Sequence, residues 1–573
     1  MTTSGSPSRT NARRLRALGL AVLAAPLVAP MLRPGWLQSH EGLAYPIRLA
    51  QLRRCWDDGF WSARWFPDLN QGGGYPFLSF YAPGYYVLAG AAQLAGAPLA
   101  LALKVPTVVA ALAGAAGAYR LARLATGPVG GFVAAALFAY APYVVRDVYI
   151  RGDLAEHLAL AFLPWCLFAV LRLGRKRRPR DVVLAAATGA VPILTHNISG
   201  LFSGALMIVA ALAAARASPA PRRTVAAAAA AGAGALLLSA FFWVPAMSER
   251  RCVRIEEMTV GPYAAASNFL PPAALLGPPL VPGVSQELPM SFEPSYVALA
   301  ALVAALAGRR RSALPRGPVV AVALVAIGVG LAMTTRLGEP VYRLVPLLRF
   351  VQFPWRFLGP VALGLAVAGG AAVEALLRGA RPRVRGVAGA VACAAAVAAV
   401  APILGPKRNV PIPDWAIDPE RLARRRETAT GVGEYLPVWA EEAAKPRDFP
   451  DGVQVIGDGT ASAVRRGVGR YDFVVEARDS VTVVLLDVWY PGWEARVNGE
   501  PAATSPRART GNVELAVGAG RHEVRARLNP TPLRRATRAV SLAAALGGLG
   551  IVLAPALRGV GRPRRRGADP ADP

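Results

Sequence analysis

Residues 154–178 read LAEHLALAFLPWCLFAVLRLGRKRR: a long apolar run with Glu156 and His157 in its first turn, closed by the basic tetrad Arg175-Lys176-Arg177-Arg178. About 20 helical residues at about 1.5 Å each are enough to cross the hydrocarbon core of a bilayer. A basic cluster at one end of such a run marks a cytoplasmic connection. The same pairing of signals recurs outward along the chain, at Arg222-Arg223, Arg309-Arg310-Arg311, Arg381 to Arg385 and Arg562 to Arg566. Composition agrees. Of 573 residues 54% are hydrophobic, and the mean hydropathy is +0.37. Ordinary soluble cores cannot hide that much apolar surface. The net charge of +29 brings nucleic acid to mind, but its confinement to short clusters between apolar runs argues for topology determinants and no nucleic-acid partner.

Reading both ways from this segment predicts a polytopic α-helical membrane protein of about 12 spans with a small extracytoplasmic β-sandwich before the last one. A cytoplasmic tail, 1–14, leads into a membrane domain, 15–404, with outer loops 33–77 and 246–294. The first span, 15–32, reads as uncleaved rather than as a signal peptide, since no convincing cleavage site follows. Further spans are expected near 101–119, 128–145, 154–173, 181–197, 200–215, 224–245, 295–308, 317–333, 356–377 and 387–404. Residues 80–96 are apolar enough to enter the membrane, yet charge parity requires that they do not cross. Residues 405–533 form the β-rich region, whose second half alternates apolar and polar residues and carries the hairpin signal Asn498-Gly499. A final span, 534–557, and a basic cytoplasmic tail, 558–573, complete the order. Of the four cysteines, Cys166 and Cys393 fall in apolar runs as inert packing. Cys55 and Cys252 fall in outer loops, where a disulfide is permitted.

The ionisable residues gather on the non-cytoplasmic side. Three of the four histidines, His40, His157 and His196, lie at outer loops or outer span ends, with Glu41, Asp57, Asp58, Asp68, Asp147, Asp153 and Glu156. Such groups at a membrane face are costly unless paired or solvated, and so are candidates for function. Spacings of three and four residues put Asp153 on one helical face with Glu156 and His157. Two readings fit: a face that binds a metal or orients a base, or a helix N-cap, Asp153, followed by a glutamate that eases the helix dipole. Arg146, Arg151 and Arg356 are candidates for gripping a lipid phosphate, or equally for anchoring at headgroups. The aromatic residues of the first loop suit sugar binding or an interfacial belt.

Taken together, several segments resemble the polytopic GT-C-type glycosyltransferases, and within them the bacterial YfhO-like membrane proteins, some labelled 6-pyruvoyl-tetrahydropterin synthase-related. They are His40-Glu41 with Arg48, Gly59, Arg64-Trp65-Phe66-Pro67-Asp68, Gly72 to Pro76, Phe80-Tyr81-Ala82-Pro83, Arg151 to Glu156, Thr195-His196-Asn197, Phe353 to Phe357, Gly433 to Pro437 and Tyr490-Pro491-Gly492-Trp493. The pterin label implies no such activity here, since nothing matches that soluble fold's three-histidine zinc site. The resemblance implies a bacterial inner-membrane enzyme that moves a sugar from a polyprenyl-phosphate donor to an extracytoplasmic acceptor. In that reading Glu41, Asp153 and Glu156 are catalytic. His40, Arg48, Asp68, Tyr81, Arg151, His157, His196 and Arg356 bind substrate. A divalent cation, Mg²⁺ or Mn²⁺, is an optional cofactor. An aspartate usual near the start of the family's first loop is absent; Glu41 stands in Gln38-Ser39-His40-Glu41. The rival classes are a lipid or polysaccharide transporter and a non-catalytic envelope-assembly protein. No matched halves favour the transporter.

Overall fold

The computed structural model describes residues 9–276, 290–307, 317–442, 444 and 446–560. Parts of the two expected tails, part of the second outer loop and the basic turn Arg309-Arg310-Arg311 lie outside the described residues.

The chain opens with helix α1 (Arg9–Val28), followed by α2 (Ala44–Asp57), α3 (Gly84–Leu94), α4 (Leu99–Ala122), α5 (Pro128–Ala139), α6 (Leu154–Leu173), α7 (Pro179–Thr195), α8 (Asn197–Arg216), α9 (Pro221–Leu238) and α10 (Ala240–Glu249). Helices α11 (Tyr296–Ala307), α12 (Pro318–Thr334), α13 (Leu358–Leu376) and α14 (Pro382–Ala398) follow, and α15 (Pro532–Val560) comes last. The apolar segment that seeded the sequence reading is the centre of the bundle. α6 is buried along nearly its whole length and packs against α4, α7 and α8, while α13, also buried, packs against α5, α11 and α12. Small residues make the second contact close. A Cβ on Gly370 of α13 would stand 2.4 Å from the Gly130 carbonyl oxygen of α5, so only glycine permits this backbone approach.

Among the described residues six helices are long and apolar enough to cross a membrane, and two bent pairs raise the number to eight. The expectation of about 12 spans exceeds this for a local reason. The bent pairs break at Tyr140-Ala141, by 42°, and at Ser239, by 70°. α7, α12 and α14 stop at 17 residues each, all three beginning at a proline whose ring fixes the helix start. α3 has 11 residues, about 16 Å of helix, too short to span, whereas α4 has 24. Thus the apolar stretch 78–122 holds one long helix preceded by one that does not reach across.

The basic turns meet at one end. Arg177 donates to the Leu173 and Gly174 carbonyls and to Ser218 and Thr224. Glu374 accepts from the Gly130 amide at 2.8 Å and is ion-paired with Arg385. The first loop and the β-domain sit at the opposite end. That domain has two antiparallel sheets. One has the order β3-β6-β10-β9, from Val453–Ile456, Val481–Val488, Asn512–Val517 and Ser505–Pro506. The other has the order β4-β5-β11-β7-β8, from Gly459–Gly467, Arg470–Ala477, Gly520–Leu528, Trp493–Val497 and Glu500–Ala502. The expected hairpin is present. Val497 pairs with Glu500 across Asn498 and Gly499, both at positive φ, as a type I′ turn needs.

The sandwich is docked onto the first loop, which is the main departure from a separate module. A two-stranded ribbon pairs β1 (Trp36–Leu37) with β2 (Asn409–Val410). The Val488 amide donates to Gly73 O at 2.7 Å, and the Val468 amide to Asp58 Oδ2 at 2.6 Å. Buried Asp487 accepts from Trp65 Nε1 at 2.8 Å and Arg466 Nη2 at 3.2 Å, and also from the Tyr471 hydroxyl. The cysteines are all unpaired. Cys55 is buried with its thiol donating to the Trp65 carbonyl at 3.2 Å, so the permitted Cys55–Cys252 bridge is not formed.

Asp487→Ala leaves the Trp65 indole N–H and the Tyr471 hydroxyl without their acceptor and removes the counter-ion of Arg466, which keeps its bond to the Gly72 carbonyl. The expected cost is about 3–5 kcal/mol, read as a lower thermal midpoint in detergent and as release of the sandwich by limited proteolysis; an unchanged midpoint refutes this joint.

Candidate functional site

The site is built where three segments meet at the sandwich end of the bundle. After α5 the chain forms a short helix, Pro142–Arg146, and then widens into one π-helical turn, Asp147–Arg151. This stretch, the connection between the expected spans 128–145 and 154–173, is helical and buried. Such a widened turn turns its side chains inward together and is common at functional sites. Gly152, with φ +71°, ends it. A Cβ here would lie 2.1 Å from Ser39 Oγ, so glycine is required for the first loop to press against the turn. The His40 and Glu41 amides donate to the Ile150 and Arg151 carbonyls, each at 3.0 Å.

Asp153 then caps α6, accepting from the Glu156 amide at 3.2 Å, so the capping reading holds. It also joins a cluster of charge. Arg151 donates to Asp153 Oδ2 at 3.0 Å, to Glu156 Oε2 at 3.2 Å through both terminal nitrogens, and to Asp147. Its guanidinium lies 4.6 Å from the Trp355 ring centre. Arg356, in the turn Pro354–Phe357 that leads into α13, brings Nη1 to 2.9 Å from Glu156 Oε2, 3.4 Å from Asp153 Oδ2 and 2.7 Å from His196 Nε2. Arginine can only donate, so His196 Nε2 faces a donor, while His196 Nδ1 caps the next helix, accepting from the Ser199 amide at 3.3 Å and lying 2.9 Å from Ser199 Oγ. Tyr143 donates to Glu156 Oε1 at 2.5 Å. All of these side chains are less than a tenth exposed.

A second group adjoins the first. Tyr45, on α2, donates weakly to Asp153 Oδ1 at 3.5 Å and accepts from the Ala155 amide at 2.9 Å. One turn further, Arg48 sits among the rings of Tyr45, Phe77 and Tyr81, 4.8–5.5 Å from their centres. Arg48 donates twice to the Ala429 carbonyl, at 2.9 and 2.6 Å, and to the Tyr86 hydroxyl at 2.9 Å. Its Nη1 lies 3.5 Å from Glu41 Oε2, and the Glu41 side chain keeps 38% of its surface open. Burial of its remaining face, with the Asp153 carboxylate, raises the Glu41 pKa above the ordinary 4.5, while Arg48, Arg151 and Arg356 pull it down.

The structure therefore brings together Glu41, Arg48, Tyr81, Arg151, Asp153, Glu156, His196 and Arg356. It leaves three expected residues outside. His157 turns away into an apolar void lined by Leu27, Ala111, Phe138 and Leu160, and neither ring nitrogen has a partner. The helical spacing that placed it with Asp153 fails because Asp153, a cap with ψ 69°, is not helical, while His157 is rotated about 100° from Glu156. Asp68 is clamped by Gln51 through two bonds of 2.8 and 3.0 Å and faces the sandwich, not the cluster. His40 is exposed, and its backbone amide ties it to the turn. Arg146 is ion-paired with Glu293. Tyr45, Tyr86, Tyr143 and Trp355 belong to the site and carried no role in the sequence reading. Trp355 adjoins Arg356 and was within reach of that reading, whereas the tyrosines carried no signal distinct from an interfacial belt.

The donor set for a metal is Asp153, Glu156 and His196, whose ligand atoms lie within 4.8 Å of one another. Arg356 Nη1 already stands within 2.7–3.4 Å of one ligand atom of each. A dication there would press against that guanidinium and against Arg151. With Arg356 in place these residues do not fit a metal ion.

A family model described as "6-pyruvoyl-tetrahydropterin synthase related domain; membrane protein" matches residues 78–406. No curated protein matches the sequence. Among solved structures, the arabinofuranosyltransferase AftD from Mycobacteria matches at 21% identity over 69% of this chain, with a TM-score of 0.44. This chain spans 27% of the AftD chain. ArnT from Cupriavidus metallidurans, bound to undecaprenyl phosphate, matches at 15% identity over 72% of this chain and 70% of its own, with a TM-score of 0.36. Likeness at these TM-scores is too slight to bear on function.

Arg356→Ala removes the cation from two buried carboxylates at an expected cost of about 3–5 kcal/mol. It also opens the three-ligand position, so added Mn²⁺ is expected to raise the thermal midpoint of this variant and leave the parent unmoved. A midpoint equally responsive in both proteins contradicts the role of Arg356 as resident cation.

Proposed function

The chain belongs to the 6-pyruvoyl-tetrahydropterin synthase related family of membrane proteins, and from that premise and the buried cluster we propose that it is a membrane glycosyltransferase using a polyprenyl-phosphate sugar donor, with Glu41 as general base. The observation that carries this reading is the contrast among the carboxylates. Asp147, Asp153 and Glu156 are buried and engaged by Arg151 or Arg356. Glu41 alone keeps an open face, and its one ion-pair contact is long, 3.5 Å. A carboxylate with a raised pKa and an open side is suited to accept a proton.

In the proposed step Glu41 takes the proton of an acceptor hydroxyl, whose oxygen attacks the anomeric carbon. The bond from that carbon to the phosphate oxygen breaks, and its electron pair leaves with the lipid phosphate. The configuration inverts. Arg48 is the guanidinium nearest Glu41, and the loose contact between them is where a donor phosphate enters, stabilised by Arg48 as charge builds on it. Tyr81, stacked on Phe77 at 4.8 Å, offers the sugar an aromatic face. Asp153, Glu156 and His196 are positioning residues that hold Arg151 and Arg356, and the fixed positive charge of Arg356 takes the place of a divalent ion. Positive-inside logic puts the basic turns in the cytoplasm of a bacterial inner membrane. The cluster and sandwich are then outside, with about 12 crossings in all.

One observation favours a second reading, a non-catalytic envelope-assembly protein. Both arginines of the buried cluster are ion-paired with the protein's own carboxylates, as in a structural network.

Transfer from radiolabelled polyprenyl-phosphate sugars into membranes separates the two readings. Glu41→Gln is expected to lose about 100-fold or more of the incorporation, with its thermal midpoint unchanged. Equal incorporation by parent and variant removes the base assignment, and none by either favours the assembly protein.

A base must be deprotonated to act, so the acidic limb of the rate–pH profile is expected above the ordinary carboxylate value, because burial and Asp153 raise Glu41. Arg48→Gln removes a lowering influence and should move that limb to higher pH. A limb that stays in place shows that another group titrates.

A further inference from the structure

A second cationic site lies apart from the cluster, in a cleft of about 390 Å³ between the first loop, α10 and the first turns of α15. Its cations are Arg64, Arg534 and Arg538, and its walls are apolar, among them Trp56, Trp61, Leu78, Val87 and Phe241. Charge is unbalanced here, in contrast to the buried cluster. Arg534 is neutralised by Glu249, bonding at 2.9 Å from Nε, and the Tyr490 hydroxyl completes that carboxylate at 2.8 Å. Arg64 and Arg538 have no ion pair among the described residues. Arg64 is 3% exposed; its Nη2 donates to Asn529 O at 2.6 Å, but Nε and Nη1 have no partner. A buried guanidinium with unmet donors is expensive. Burial, with Arg534 and Arg538 alongside, pushes its pKa down to about 9. An anion entering the cleft removes that penalty.

The position of these arginines is not explained by topology. Basic residues that set orientation lie at the far end, around Arg177 and Arg385. Arg534 and Arg538 lie at the sandwich end, on the first turns of the helix that leaves it. Val87 is 44% exposed, Phe241 37% and Trp61 66%, so the cleft opens onto apolar helix faces of a membrane protein. It thus offers unmet positive charge at its head and a greasy wall below.

We propose that this cleft binds the phosphate headgroup of an anionic membrane phospholipid, with Arg64 and Arg538 as the clamp and the acyl chains lying along Val87 and Phe241. Guanidinium donors in a partly desolvated pocket match phosphate oxygens in geometry and charge. The site is independent of the transfer reaction and would serve to seat the last helix and the sandwich against the bilayer surface.

The test uses the full-length protein in a non-ionic detergent, titrated with phosphatidylglycerol, with phosphatidylcholine of the same chains, or with inorganic phosphate. Thermal midpoints and native mass spectrometry are the readouts. Phosphatidylglycerol is expected to raise the parent's midpoint and to remain bound in the gas phase, and phosphatidylcholine to do neither. Arg538→Gln, which breaks no ion pair, should weaken phosphatidylglycerol binding about tenfold without lowering the lipid-free midpoint. Arg64→Gln also releases Asn529, so it is judged by lipid retention alone and should lose it. Equal effects of the two lipids, or full retention by Arg538→Gln, overturn the proposal. A full response to inorganic phosphate alone overturns its lipid part.

Discussion

Arg356 placed among Asp153, Glu156 and His196 is the contact on which the rest of this site depends. Each unpaired ion inside a protein buried in a bilayer costs several kcal/mol, and three carboxylates are held here within one small volume. Two guanidiniums make that tolerable only because their geometry is fixed from several directions at once. Arg151 is delivered by the widened turn after α5 and backed by the Trp355 ring. Arg356 is delivered by the turn before α13 and met by His196 Nε2. The helices of the bundle core, α6, α8 and α13, therefore converge on one electrostatic knot, which orients them as strictly as their apolar packing does.

That knot also divides labour among residues of the same chemical type. Carboxylates locked by arginine cannot readily exchange protons or take a new ligand, whereas Glu41, tethered by one long contact, can. The same division separates the arginines. Arg151 and Arg356 are spoken for by the protein, whereas Arg64 and Arg538 are not. Reactivity in this molecule follows from which charges are left without a close counter-ion.

Much of this was legible in the sequence, for physical reasons. Apolar runs with basic ends report the membrane helices directly, the Thr195-His196-Asn197 junction marks the α7–α8 turn, and Asn498-Gly499 sets a hairpin because both residues accept positive φ. The gathering of Glu41, Asp153, Glu156 and Arg356 followed from the cost of burying charge. What escaped was pairing. Sequence cannot say which carboxylate an arginine will hold, so Arg151 and Arg356 read as free to grip phosphate when they are engaged within the protein. Helix α2 was hidden in a loop because its buried face, Tyr45, Arg48, Leu49 and Leu52, contains an arginine and no long apolar run. His157 was misplaced because a capping residue does not follow helical spacing. Six long apolar helices and two bent pairs stand out among the described residues, whereas the other expected spans fall on helices of 17 residues or fewer, three of them begun at a proline, which length alone does not mark as crossings.

The two hydrogen bonds from Arg48 to the Ala429 carbonyl join residues 381 positions apart in the chain. During synthesis the first loop emerges long before its partner exists, so Arg48 must wait, solvated or otherwise paired, while most of the helices are inserted. The aromatic cage around it can close early, since its members lie near in sequence, but the final grip is made only when the segment leading into the sandwich has been translated and folded back. Maturation of this site is in that sense a late event in biogenesis, gated by the arrival of a distant stretch of backbone.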